Sequence, residues 1–161
     1  MPSKKRSGRE GHLLVIGGAE DPDENEMVIL PRLVEMAGGK EARIIVCSSP
    51  SENPEDKVRV YGDLFEKIGV AEVYGAAIAD RAEADTPENL EAVERATAVF
   101  FTGGDQLRLT SLIAGTDFSE RIRERVYGDG LVVAGTSAGA AAMSSVMIIG
   151  GRNEGTVRRE D

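Results

Sequence analysis

The chain has 161 residues, 41% hydrophobic and 29% charged, which suits one domain with its own core and is too short for two. Its 28 acidic and 19 basic side chains leave a formal net charge of -9, and only 4% of residues are aromatic. That combination repels phosphate backbones and offers little for bases to stack on, so nucleic acid is not an expected partner. No apolar run approaches the roughly 20 residues that span a bilayer, so no membrane role is expected.

The N-terminal residues 1–12 are basic at Lys4, Lys5, Arg6 and Arg9 but lack the apolar stretch of a signal peptide, and are expected to form a disordered tail before a single α/β domain over 13–161. His12 is the only histidine. Leu13–Ile16 reads as a first strand, followed by Gly17-Gly18 and the acids Glu20, Asp21, Asp23, Glu24 and Glu26. These acids can attract a cationic substrate group or simply favour the start of a helix through its dipole. Over 24–37, Met27, Leu30, Leu33, Val34 and Ala37 recur at three- and four-residue spacing. Pro31 requires a kink or a late start, and Gly38-Gly39 supplies the stop.

A second strand is expected over Arg43–Cys47. Cys47, the one cysteine, fits a small buried hydrophobe better than a reactive thiol and is compatible with a reducing, cytoplasmic compartment. One Cys and one His do not make a tetrahedral zinc site, so neither metal nor cofactor is implied. Asn53-Pro54 and Thr86-Pro87 each place a cap before proline at the first helical position. They open helices around a third strand over 70–74 and lead to a fourth over Ala98–Phe101. Asp117-Phe118-Ser119-Glu120 resembles a capping box, a fifth strand is expected over 131–134 and a sixth over 146–149. Residues 150–159 have loop composition, and Arg158 and Arg159 are either a carboxylate site or a solvated charge run. Continuous apolar strands alternating with amphipathic helices indicate a doubly wound, mainly parallel sheet.

In such sheets the ligand site lies beyond the carboxyl ends of the strands. The junction after the fifth strand, Gly135-Thr136-Ser137-Ala138-Gly139, has the G-x-S-x-G form of a nucleophile elbow. A serine exposed on a strained strand-to-helix turn forces the residues two before and two after it together, and glycine at both positions removes the clashing Cβ atoms. Ser137 is the candidate nucleophile and Ala138 N–H the first oxyanion donor. After the fourth strand, Thr102-Gly103-Gly104-Asp105-Gln106 either supplies a second donor, from Gly104 or Asp105 N–H, or is a bare tight turn. The Gly-Lys-Ser/Thr ending of a phosphate loop is absent. Gln106 can reach a substrate amide or face solvent.

These three junctions, with Met147-Ile148-Ile149-Gly150-Gly151, resemble the cyanophycinases, serine peptidases related to aspartyl dipeptidases. The resemblance spans roughly 13–161. It implies a flavodoxin-like fold close to class I glutamine amidotransferases, a homodimer, and cleavage of β-aspartyl bonds in cyanophycin, a poly-aspartate carrying arginine, to release β-Asp-Arg dipeptides. Residue by residue, Ser137 matches the nucleophile and Ala138 with Gly103-Gly104 the oxyanion region. Gln106 matches a substrate-contacting glutamine, with Gly103 beside it. The aspartyl dipeptidase branch fits less well, since an aromatic residue is expected there in place of Thr136. Cyanophycinases are longer, with the catalytic His and its acidic partner beyond residue 161. The chain is therefore expected to be an N-terminal portion, lacking its C-terminal part and inactive alone. A catalytically inactive binding module of the same fold is the alternative from another class.

Overall fold

A computed structural model describes residues 8–20 and 27–149. Five strands, β1 (Leu13–Ile16), β2 (Arg43–Cys47), β3 (Glu72–Ala76), β4 (Ala98–Phe101) and β5 (Val132–Thr136), form one all-parallel sheet in the order β1-β5-β4-β2-β3. The segment β3-β2-β4-β5 has the order of a flavodoxin-like sheet, and β1 adds beyond β5. The helices are α1 (Ile29–Met36), α2 (Pro54–Ile68), α3 (Arg81–Ala84), α4 (Pro87–Arg95), α5 (Gln106–Ile113), α6 (Asp117–Gly128) and α7 (Ala138–Ala142).

Helices cover both faces because alternate strand residues point to opposite sides. Ile44, Val46, Ala98, Phe100, Val132 and Ala134 pack with Leu30, Leu33 and Phe65 of α1 and α2. Ile45, Cys47, Val99, Phe101 and Val133 pack with Leu109, Phe118 and Ile122 of α5 and α6. Both faces being buried explains why these strands read as unbroken apolar runs. The edge strand β1 is half covered: Ile16 is buried while Leu13 and Val15 are exposed.

The local signals hold with shifts. Helix α1 starts late, at Ile29, which puts Pro31 in its first turn, where its missing N–H costs no helical bond. Pro54 and Pro87 both open helices, and Thr86 Oγ1 accepts from Asn89 N–H, whereas the Asn53 side chain makes no cap bond. The cap of α6 lies one residue earlier than the Asp117 box: Thr116 Oγ1 accepts from Ser119 N–H.

Four expectations are corrected. The third strand is displaced to Glu72–Ala76, and β5 continues through Gly135 and Thr136, because both pair in register with β1 (Gly135 with Val15, Thr136 with Ile16). Residues 146–149 form no strand; Val146 is 85% and Ile148 82% exposed, and no strand among the described residues pairs with them. Residues 8–12, assigned to a tail, are tied to the end of α6: Gly11 N–H donates to the Val126 carbonyl at 2.6 Å and Gly8 N–H to that of Gly128 at 3.1 Å. Residues 1–7, the acids at 21–26 and the loop at 150–159 with Arg158 and Arg159 lie outside the described residues.

Candidate active site

Three turns meet at the carboxyl edge of the sheet, one after β1, one after β4 and one between β5 and α7. Ser137 is the single residue linking β5 to α7, with φ 51° and ψ -109°. Only one other described non-glycine residue, Ala19, has positive φ, at 50°. Such a conformation costs on the order of 1–3 kcal/mol and survives only where its surroundings enforce it. Here the peptide is held from both sides: Ser137 N–H donates to the Ile16 carbonyl at 3.0 Å, and its carbonyl accepts from Ala141 N–H at 3.0 Å. The side chain projects outward and is exposed.

The glycines flanking the turn are required by contact. A Cβ on Gly135 would lie 2.4 Å from the Gly139 carbonyl carbon, and one on Gly139 would lie 2.3 Å from the Phe101 carbonyl oxygen. The start of α7 is thus wedged between β5 and β4, and no side chain fits on either glycine.

The turn after β4 faces the same serine. A Cβ on Gly103 would stand 3.6 Å from Ser137 Cβ, and one on Gly18, after β1, 3.9 Å. Gly104, at φ 144°, lies so close to the loop after β2 that a Cβ there would meet the Pro50 carbonyl oxygen at 2.1 Å. That loop treats the two expected donors differently. Asp105 N–H donates to the Pro50 carbonyl at 2.9 Å. Its carboxylate instead caps α5, accepting from Leu107 N–H at 2.8 Å and Arg108 N–H at 3.1 Å. Gly104 N–H and Ala138 N–H take part in no hydrogen bond among the described residues.

Gln106 heads α5, and its amide donates to the Ile148 carbonyl at 2.6 Å; it does not line the space beside Ser137. That space is an open cavity of about 460 Å³ bounded by the β1 turn, the β4 turn, Ser137, Glu52 of the loop before α2, and Lys57 and Tyr61 of α2. A second cavity, of about 500 Å³, is apolar and lies under α5 and α6 beside Leu13 and Val133, away from the serine.

Glu20 has a position that local sequence did not reveal. Its carboxylate accepts hydrogen bonds from Thr136 Oγ1, at 2.5 Å, and from Tyr61 Oη. It does not serve α1, whose first turn holds no acid. Burial and the Glu20 carboxylate push the Tyr61 hydroxyl well above its ordinary pKa. The one available hint was that Glu20 closely follows a strand end; Tyr61 and Pro50 carried none, since their contacts depend on elements far apart in sequence.

No base reaches Ser137 Oγ by hydrogen bond among the described residues. His12 is exposed at the opposite edge, its carbonyl accepting from Val133 N–H, and a four-residue strand puts it about 13 Å away. Lys57 lines the same cavity without bonding to the serine.

The model of peptidase family S51 matches residues 13–158. The chain belongs to peptidase family S51. Among curated proteins, this S51 chain is 41% identical to a cyanophycinase of Synechococcus elongatus over 93% of its own length and 47% of the relative's. It is 42% identical to a cyanophycinase of Geminocystis herdmanii over 86% of its length and 51% of that protein. A cyanophycinase of Trichormus variabilis is 40% identical, over 91% and 49%. The chain thus spans about half the length of the curated relatives it matches. A solved peptidase from an acI-B1 actinobacterium superposes with a TM-score of 0.71 at 22% identity, covering 88% of this chain and 60% of that one, which shows the shared fold. No helix among the described residues is long and apolar enough to cross a membrane.

Proposed function

We propose that this S51 chain carries the nucleophile elbow and oxyanion groups of a serine peptidase that hydrolyses cyanophycin at the main-chain bonds between its β-linked Asp-Arg units and releases β-Asp-Arg dipeptides. The observation that carries this reading is Ser137, exposed at φ 51° at the carboxyl edge of the sheet, opening on a cavity that Gly104 also lines, with the N–H groups of Gly104 and of the adjacent Ala138 in no hydrogen bond among the described residues. The cyanophycinases at 40–42% identity support the choice of substrate.

Ser137 Oγ attacks a main-chain carbonyl carbon of the poly-aspartate while a base takes its proton, so that each arginine stays joined to its aspartate side chain in the β-Asp-Arg product. The carbonyl oxygen becomes an oxyanion and accepts hydrogen bonds from Ala138 N–H and Gly104 N–H, which are fixed in place before the charge develops. Collapse breaks the C–N bond, the protonated amine leaves, and water hydrolyses the acyl ester on Ser137. Gly103 lets the substrate approach along the β4 turn. Gln106 contacts the substrate once its amide exchanges the Ile148 carbonyl for it. The base is assigned to the part of the relatives' length that this chain does not span, and the assembled enzyme to a cytoplasmic homodimer.

The test uses the native full-length polypeptide with cyanophycin, reading released dipeptides by mass spectrometry and mass in solution by light scattering. Ser137→Ala is expected to leave the fold intact and lower the rate on the order of a millionfold, as loss of a triad nucleophile does elsewhere. Near-normal turnover by that variant, free of wild-type contamination, removes Ser137 as the nucleophile. Retention of cyanophycin without any dipeptide release from the wild type would indicate a binding module.

A further inference from the structure

We propose that Glu20 is a positioning residue for Ser137, a role that rests on the reading of Ser137 as nucleophile. The two described non-glycine residues with positive φ, Ala19 and Ser137, stand at the carboxyl ends of neighbouring strands, where Ile16 pairs with Thr136. Glu20 directly follows the first strained residue and Thr136 directly precedes the second. The 2.5 Å bond from Thr136 Oγ1 to Glu20 Oε2 therefore joins both strained turns across 116 positions of sequence.

The other carboxylate oxygen is held by Tyr61 Oη. Tyr61 is a firm anchor because its ring packs on Phe100 of β4 with centroids 4.7 Å apart, and Phe100 is itself fully buried and packed edge-on by Phe65. The chain of contacts runs from the core through α2 to Glu20, then to the hydroxyl of the buried Thr136 and so to the nucleophile's own peptide. Glu20 makes no hydrogen bond to Ser137 Oγ among the described residues, so it acts through Thr136. Both carboxylate oxygens already accept from neutral hydroxyls, an arrangement that holds a turn in place. Without the carboxylate, the Thr136 hydroxyl is left buried without its acceptor, and the Thr136–Ser137 peptide is free to move toward an ordinary φ that withdraws Oγ from the cavity.

The experiment measures kcat and KM on cyanophycin for the full-length enzyme, normalised to folded protein by circular dichroism, together with the rate at which a fluorophosphonate labels Ser137. Glu20→Ala and Thr136→Val are each expected to lower kcat and labelling rate on the order of a hundredfold with KM within about twofold of wild type. Combining them is expected to cost no more than the worse single change, since both break one linkage. Thr136→Ser, which keeps the hydroxyl, recovers most of the Thr136→Val loss, and this pair decides the matter if Glu20→Ala does not fold. A raised KM at unchanged kcat would make Glu20 a substrate-binding group and overturn the proposal. Lower thermal stability with normal kcat per folded molecule would overturn it too, leaving only a structural bond. An inactive Ser137→Ala beside a fully active Glu20→Ala and Thr136→Val removes the positioning role alone. An active Ser137→Ala removes the nucleophile and the positioning role with it.

Discussion

Replacing Gly135 by alanine should damage the enzyme out of proportion to one methyl group. The added carbon would lie 2.4 Å from the Gly139 carbonyl carbon and 2.8 Å from Ala140 N, about 1 Å short of ordinary van der Waals contact. The obstacle is backbone, so no rotamer change relieves it, and α7 cannot move toward β4, where Gly139 already abuts the Phe101 carbonyl. Forcing extra volume into such a contact costs about 1–3 kcal/mol. For a chain of this length that lowers Tm by roughly 2–12 °C. The larger effect is on rate, because a 1 Å displacement of a reacting group costs on the order of a hundredfold. Thermal melts and cyanophycin turnover of the full-length variant measure both. Gly62→Ala is the control, since that glycine lies within α2 with no heavy atom within 4 Å of the added carbon. It should stabilise the protein by about 0.5–1 kcal/mol. A Gly135→Ala protein that melts within about 1 °C of wild type and turns over normally would refute the argument that the turn tolerates only glycine there.

Asp105→Ala removes the cap of α5 and should cost about 1 kcal/mol, seen as a Tm a few degrees lower. Its N–H remains on Pro50, so turnover per folded molecule should hold within a few-fold, and a hundredfold loss at normal stability would place Asp105 in the site. Burial pushes the Cys47 thiol from 9.0 up to about 11, against a smaller opposing effect of Ser49. The folded state therefore keeps its proton where the unfolded state loses it, and stability is fully present below about pH 9 and falls by up to about 3 kcal/mol as pH rises to about 11. The partly buried Tyr61 adds a loss of the same sign at still higher pH. Chemical denaturation at pH 8 and pH 10.5 should show a smaller decline for Cys47→Ala than for wild type, and equal declines would refute the assignment.

The strand runs, the prolines at the starts of α2 and α4, and the position of Ser137 between a strand and a helix were legible in the sequence because each rests on contacts within a few residues. The crowding of Gly135 and Gly139 belongs to the same class: two residues on either side of a sharp turn meet whatever the rest of the chain does. Residues 146–149 have the composition of a strand without being one, since a strand exists only by pairing and composition does not name a partner. The order β1-β5-β4-β2-β3 was equally hidden, and the site's chemistry follows from that order. It brings Pro50 against Gly104, which leaves Gly104 N–H without a hydrogen bond among the described residues while Asp105 N–H is consumed by a carbonyl more than fifty residues earlier. It also lays the β1 turn beside β5, which turns Glu20 from one acid in an acidic stretch into the carboxylate that holds Thr136. Sequence spacing carries what the backbone's own geometry imposes, and hydrogen bonds between turns 55 and 116 residues apart are decided only when the sheet closes them.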